Sequence, residues 1–166
     1  MQTLIRISLI FLTSSFWCVS SFAQSIVLKD AREAPTPIAL QAFVKSGESG
    51  DIVKFASDTE ANVTADLIFS RVFKVIPAEA FGNTPVPGNL KSFQVDPWRQ
   101  VGAQYVVRAK VGIEKGESWV EGYAFDVMTG KMILEKRYKS KRNPSSLPHQ
   151  FADDIVEIVT GQKGLF

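Results

Sequence analysis

The sequence predicts an α/β (α+β) domain: a mixed sheet of about five strands with two principal helices packed on one face. Three observations carry that reading. Between residues 49 and 73, Ile52, Ala56, Val63 and Leu67 recur at helical spacing with Thr59 and Arg71, and Phe55, Ile68 and Val72 broaden the stripe. Between 104 and 139, apolar and polar residues alternate in three runs separated by glycine turns, the pattern of an antiparallel meander. Near the end, Phe151, Ile155 and Ile158 form a second helical row beside Ala152, Val156 and Val159. Neither helix can bury its own apolar stripe, so both need the sheet.

Composition is that of one ordinary globular core: 166 residues, 45% apolar and 22% charged, with a formal charge of +2. So small a net charge does not point to a nucleic acid, and none is expected as a partner. Residues 1–23 stand apart. Arg6 precedes an apolar run from Ile7 to Val19, and Ser21-Phe22-Ala23 places small residues where a signal peptidase reads them, so cleavage after Ala23 and export are expected. The rival reading is an uncleaved anchor, but the apolar run is shorter than the ~20 residues a bilayer crossing needs, so no membrane insertion is expected after cleavage. Cleavage would remove Cys18, the one cysteine, and with it any disulfide or thiol chemistry.

The segment 24–36 begins with a short apolar run, Ile26 to Leu28, then turns charged and proline-bearing. It reads either as a strand that docks by backbone pairing or as a loosely ordered terminus. A domain over 37–166 follows. Pro37 to Val44 is the first core strand, and KSGESG is the loop that ends it. Ser49 or Gly50 caps the long helix, with Asp51 in its first turn. Lys74 to Ile76 completes a strand, helix, strand unit that Pro77 stops. Residues 78–95 have no stable period and read as a long loop. Asp96 to Gly102 is a compact helix with an Asp cap, a first-turn proline and a glycine stop, turning Trp98 and Val101 to the core.

In the meander, Tyr105, Val107, Ala109, Val111 and Ile113 share one face of the first strand, and Arg108 and Lys110 the other. Lys115 to Ser118 turns the chain. Trp119 to Met128 returns with Tyr123, Phe125 and Val127 on one face, and Thr129-Gly130 turns it into Lys131–Lys139. Such alternation implies one buried and one largely wet face. The last helix, PHQFADDIVEIVTG, exposes Asp153, Asp154 and Glu157 and stops at Gly161.

No catalytic set emerges. His149 is the only histidine and reads as a surface or partly buried packing residue, which excludes paired-histidine chemistry and histidine-rich metal sites. Asp153 and Glu157 share a helix face without a cleft around them, and no phosphate loop, dinucleotide fingerprint or nucleophile elbow is present. No cofactor or metal is therefore expected. The most biased patch is Lys136, Arg137, Lys139, Lys141 and Arg142, which could meet an anionic ligand but reads first as an edge strand protected by lysines and running into a polar loop.

Read in order, ADLIFSRVF (65–73), WRQVGAQYVVRAKV (98–111) and HQFADDIVEIVTGQKGLF (149–166) resemble the amino-terminal domain of the TolB family, periplasmic members of the Tol-Pal envelope system. The last is similar to that family's signature through His149, Asp153, Thr160, Gly161, Lys163, Gly164 and Phe166, and the likeness runs from about Ile26 to Phe166. The resemblance implies a non-catalytic protein-binding module supporting envelope integrity and cell division. It places Asp66 on the long helix's surface, Ser70 at its end, and Gly102 and Gly161 at helix stops. Arg71 stands where the family usually has glycine. In the family the first mature residues bind the carboxy-terminal domain of TolA or fold back on TolB. The matching positions here are Ser25, Ile26, Val27, Leu28, Lys29 and Asp30. The family's β-propeller, which meets Pal, would follow Phe166, and its absence makes Pal a doubtful partner of this chain. A periplasmic or secreted domain that binds an anion through the 136–142 patch is the alternative.

Overall fold

The computed structural model describes residues 34–163. Nine elements follow in chain order: β1 (Thr36–Lys45), α1 (Gly50–Phe69), β2 (Phe73–Val75), a 3-10 turn (Ala78–Ala80), α2 (Asp96–Gln100), β3 (Tyr105–Glu114), β4 (Glu117–Asp126), β5 (Lys131–Ser140) and α3 (Ser146–Thr160). The strands form one mixed sheet in the order β2-β1-β3-β4-β5. β1 runs parallel to both β2 and β3, and the β3-β4-β5 meander is antiparallel. This is the expected fold class, with β1 opening one residue before the expected domain boundary.

Both principal helices lie on one face. Val63 and Leu67 of α1, with Leu147, Phe151, Ile155 and Val156 of α3, pack against Ile38, Leu40, Val107, Ala109, Val111, Val120, Ala124 and Leu134. Gly122 of β4 makes this packing possible: its bare Cα leaves room for the Phe151 ring, and a Cβ there would stand 2.6 Å from ring Cδ2 and Cζ. Thr59 is buried because its hydroxyl donates to the Phe55 carbonyl, one turn back, and so needs no outside partner.

The long helix ends sooner than its apolar stripe suggests. Ser49 caps its start by accepting from the Ile52 N–H. At the other end Ser70 N–H donates to Asp66 O and its hydroxyl to Leu67 O, after which Arg71 turns left-handed at φ 58°. Phe73 therefore belongs to β2, and Ile68 and Phe69 are exposed rather than part of the buried stripe. A left-handed residue with a Cβ costs about 1–2 kcal/mol, whereas glycine adopts it freely but loses more chain entropy on folding. Arg71→Gly is accordingly expected to stabilise the protein by about 0.5–1 kcal/mol, read as a raised Tm in calorimetry. An unchanged or lowered Tm would show that the Arg71 side chain contributes what its backbone loses.

The turn between β3 and β4 is also tighter than expected. Lys115 and Gly116 alone make it, both at positive φ, so Glu117 and Ser118 are already in strand. At the short helix, Asp96 is the first helical residue and Val95 the cap, so the expected Asp cap is not formed. Gly161 ends α3 as expected, left-handed, its N–H donating to Glu157 O.

β1 carries an irregularity that sets its two faces. Its pairing with β3 shifts between Leu40 and Ala42, leaving Gln41 as an extra residue. Both Leu40 and Phe43 then pack on the helix side, while Ala39 and Val44 serve the opposite face.

The sheet's second face is not the largely wet one that alternation suggests. Tyr123 pairs with Arg108 and Phe125 with Val106, so the apolar row of β4 lies opposite the helices. There it meets Ala39, Phe81, Leu90, Trp98, Ala103 and Val127 in a second buried cluster. The cover comes from the aperiodic stretch after β2 and from α2. Those segments bury apolar residues singly, from irregular backbone, so no period announces them.

Candidate interaction site

Arg108 lies at the centre of this second layer, only 2% exposed. Strand alternation puts it on the loop face, and the Gln41 bulge brings the partner it needs. Nε donates to Gln41 Oε1 at 2.6 Å, while Nη1 donates to Leu90 O at 3.1 Å and Ser92 O at 2.6 Å. Gln41 in turn donates from its amide to the Thr84 and Pro85 carbonyls. The guanidinium carbon lies 5.6 Å from the Phe93 ring centre and 5.1 Å from that of Phe125, and the two rings stack 4.5 Å apart. Burial lowers the Arg108 pKa to about 10, which leaves it charged at neutral pH. One side chain thus anchors the long loop to the sheet. Lys91, paired with Glu135 of β5, anchors it at the surface.

The five basic residues do not form one patch. Lys136 is on the helix side, donating to Asp154 Oδ2 at 2.6 Å, where the Tyr138 hydroxyl donates to the same oxygen at 2.5 Å. Burial first, and that bond second, push the Tyr138 phenol far above its ordinary value. Arg137 points the other way and lies 4.1 Å above the Trp119 ring. With Lys139 and Lys141 it rims a shallow cavity of about 200 Å³ that Glu114 and Glu117 also line. Arg142 belongs to a third surface, a groove shared with Phe55, Asp58 and Asn62 of α1. Period-two alternation separates Lys136 from Arg137, and the chain leaves the strand before Arg142.

On the helix side, Asp66 is buried rather than on the surface, and His149 Nδ1 donates to its Oδ2 at 2.6 Å. His149 is half-exposed, consistent with the packing role read from the sequence, and it joins the start of α3 to the end of α1. Asp153, Asp154 and Glu157 are half-buried rather than fully exposed. Among the described residues no group of three His, Cys, Asp or Glu is placed to hold a metal. The run Ser25 to Asp30 and the segment 1–23 lie outside the described residues.

The architecture defines a class: a mixed α/β module of five strands whose two helices cover one face and whose long, arginine-anchored loop covers the other. The family model of the TolB amino-terminal domain matches residues 24–133. The Tol-Pal system protein TolB of Anaeromyxobacter dehalogenans is 32% identical over 146 residues, covering 86% of this chain and 32% of that protein. TolB of Xanthomonas campestris pv. campestris is 33% identical over 162 residues, covering 93% of this chain and 36% of that one. Among solved structures, the crystal structure of TolB from Acinetobacter baumannii superposes with a TM-score of 0.59 at 20% identity, over 78% of this chain and 29% of that one. The chain belongs to the TolB amino-terminal domain family. A periplasmic location and a non-catalytic character accompany that membership. The chain spans about a third of the length of these relatives.

Proposed function

We propose that this protein is a periplasmic interaction module of the Tol-Pal type, contributing to envelope integrity and cell division, and that Ser25 to Asp30 bind the carboxy-terminal domain of TolA. The observation that carries the reading is the extent of the family match, which begins at residue 24 and so includes that run. Ile26, Val27 and Leu28 suit addition to a sheet edge, where backbone hydrogen bonds supply affinity and alternate side chains supply selectivity. Export with cleavage after Ala23 would free this run as the mature amino terminus, ahead of a domain over 37–166.

The alternative, an anion site on the basic stretch, narrows to Arg137, Lys139 and Lys141, because these three share one cavity. One experiment separates the two readings. Residues 24–166 are titrated with the TolA carboxy-terminal domain by calorimetry at low and high salt, alongside a variant lacking 25–30 and a Lys139→Glu/Lys141→Glu double variant. Saturable binding that the deletion abolishes and the charge reversal spares is the expected result. Binding that survives the deletion, but falls steeply with salt and on charge reversal, would replace it with the anion reading. No binding to the folded protein would sink the assignment of TolA as partner.

A further inference from the structure

Beside Arg108, on the loop side of the sheet, is a cavity of about 150 Å³ lined by Thr84, Pro85, Pro87, Ser92, Gln94, Pro97, Trp98 and Arg108. Its lining holds one cation and no carboxylate, and no ion pair of Arg108 is found among the described residues. The three hydrogen bonds of the guanidinium use Nε and Nη1. Among the described residues no buried side-chain nitrogen or oxygen lacks a partner. The remaining nitrogen, Nη2, is therefore not sealed in the protein, and Arg108 is one of the residues that line the cavity. Thr84, Ser92 and Gln94 line the same space, and their hydroxyls and amide take no part in the side-chain hydrogen bonds of the described residues. The lining thus combines one guanidinium with three donor-bearing side chains. Pro85, Pro87, Pro97 and Trp98 supply the apolar part of the lining.

We propose that this cavity is a binding site for a carboxylate on a short apolar stem, taken by Arg108 with Thr84, Ser92 and Gln94 as accessory donors. A cation that is buried among neutral oxygens and aromatic faces keeps an uncompensated charge, and an incoming carboxylate is the group that completes it. The planar fork of arginine suits a planar carboxylate better than a spherical ammonium would. The cavity admits only a few heavy atoms, so the group is either a small free acid or the carboxy-terminal residue of a peptide. None of the residues of this site belongs to the 25–30 run, and its test does not depend on TolA.

The test uses the full mature chain, labelled with ¹⁵N, and follows the Arg108 Nε–H and the amides of Ser92 and Gln94. Butyrate is expected to move all three saturably, with a dissociation constant on the order of 1 mM, as suits so small a ligand. Butyramide, the neutral isostere, is expected to leave them in place. Thr84→Val and Gln94→Ala spare every bond that Arg108 makes to the loop, and each should weaken butyrate binding by about three- to tenfold. Arg108→Lys, if folded, should weaken it at least as much. A tripeptide ending in valine, free or amidated, distinguishes the sources: binding of the free form tighter than butyrate assigns the group to a chain end, and weaker binding assigns it to a free acid. Equal shifts with butyrate and butyramide, equal shifts with inorganic phosphate, or indifference to the Thr84 and Gln94 changes would each overturn the proposal.

Discussion

Arg108→Met is expected to lower the free energy of unfolding by about 3 kcal/mol, because it strands the acceptors that the guanidinium now satisfies. Gln41 Oε1 and the Leu90 and Ser92 carbonyls each lose a donor, and the bond to Leu90 O is buried. Methionine preserves the apolar contact with Phe93 and Phe125, so the loss is one of hydrogen bonding and not of volume. The damage should be directional: amides in the loop over 84–95 should exchange faster under native conditions, while those of α1 and α3 keep their protection. Chemical denaturation measures the total and hydrogen exchange its location. A loss below about 1 kcal/mol, or loosening spread evenly over both helices, would mean that the loop is held by its apolar residues instead.

The second large effect is on the other face. Gly122→Ala is expected to cost about 2–3 kcal/mol, since the added methyl would overlap the Phe151 ring and the ring is confined between sheet and helix. Phe151 is fully buried and tilts against Tyr138 at 5.7 Å, so it has no free direction in which to turn. Shortening the ring relieves the overlap. The Gly122→Ala/Phe151→Leu double variant should cost less than the sum of the two single costs, with a coupling of at least about 1 kcal/mol in a double-mutant cycle. Strict additivity would show that the sheet, not the ring, absorbs the methyl.

Much of the helix-side half of this domain was legible in the sequence. The stripe of Ile52, Ala56, Val63 and Leu67, the row of Phe151 and Ile155, and the alternation of β3 all report burial against one regular surface, and regular surfaces impose a period. Phe81, Leu90 and Phe93 report burial too, but from irregular backbone, and they look like ordinary loop residues. A signal for the second layer was nevertheless present. Across an antiparallel hairpin joined by an even number of turn residues, odd positions of one strand face even positions of the other. Tyr123, Phe125 and Val127 therefore had to share a face with Arg108 and Val106, away from Val107 and Ala109. Three apolar residues on a face assumed to be wet predict a cover. The pairing of Arg108 with Gln41 was beyond reach, since it depends on a bulge that nothing in the local sequence marks. The basic stretch was misjudged as one patch because linear density of charge ignores the alternation of strand side chains. His149 and Asp66 are 83 residues apart and meet only after both helices have docked.

The bulge at Gln41 has a bearing on errors of assembly. A regular parallel strand can slide by two residues against its neighbour and still present the same kind of side chain to each face, a low-cost mispairing. β1 does not have that freedom. Its apolar phase reverses at Gln41, so a bulge at any other residue would put part of the strand in the wrong phase, and any slide withdraws the Gln41 side chain from Arg108. The extra residue and its bond to Arg108 act together as a detent, favouring one alignment between two strands that meet only after some sixty intervening residues have folded or been set aside.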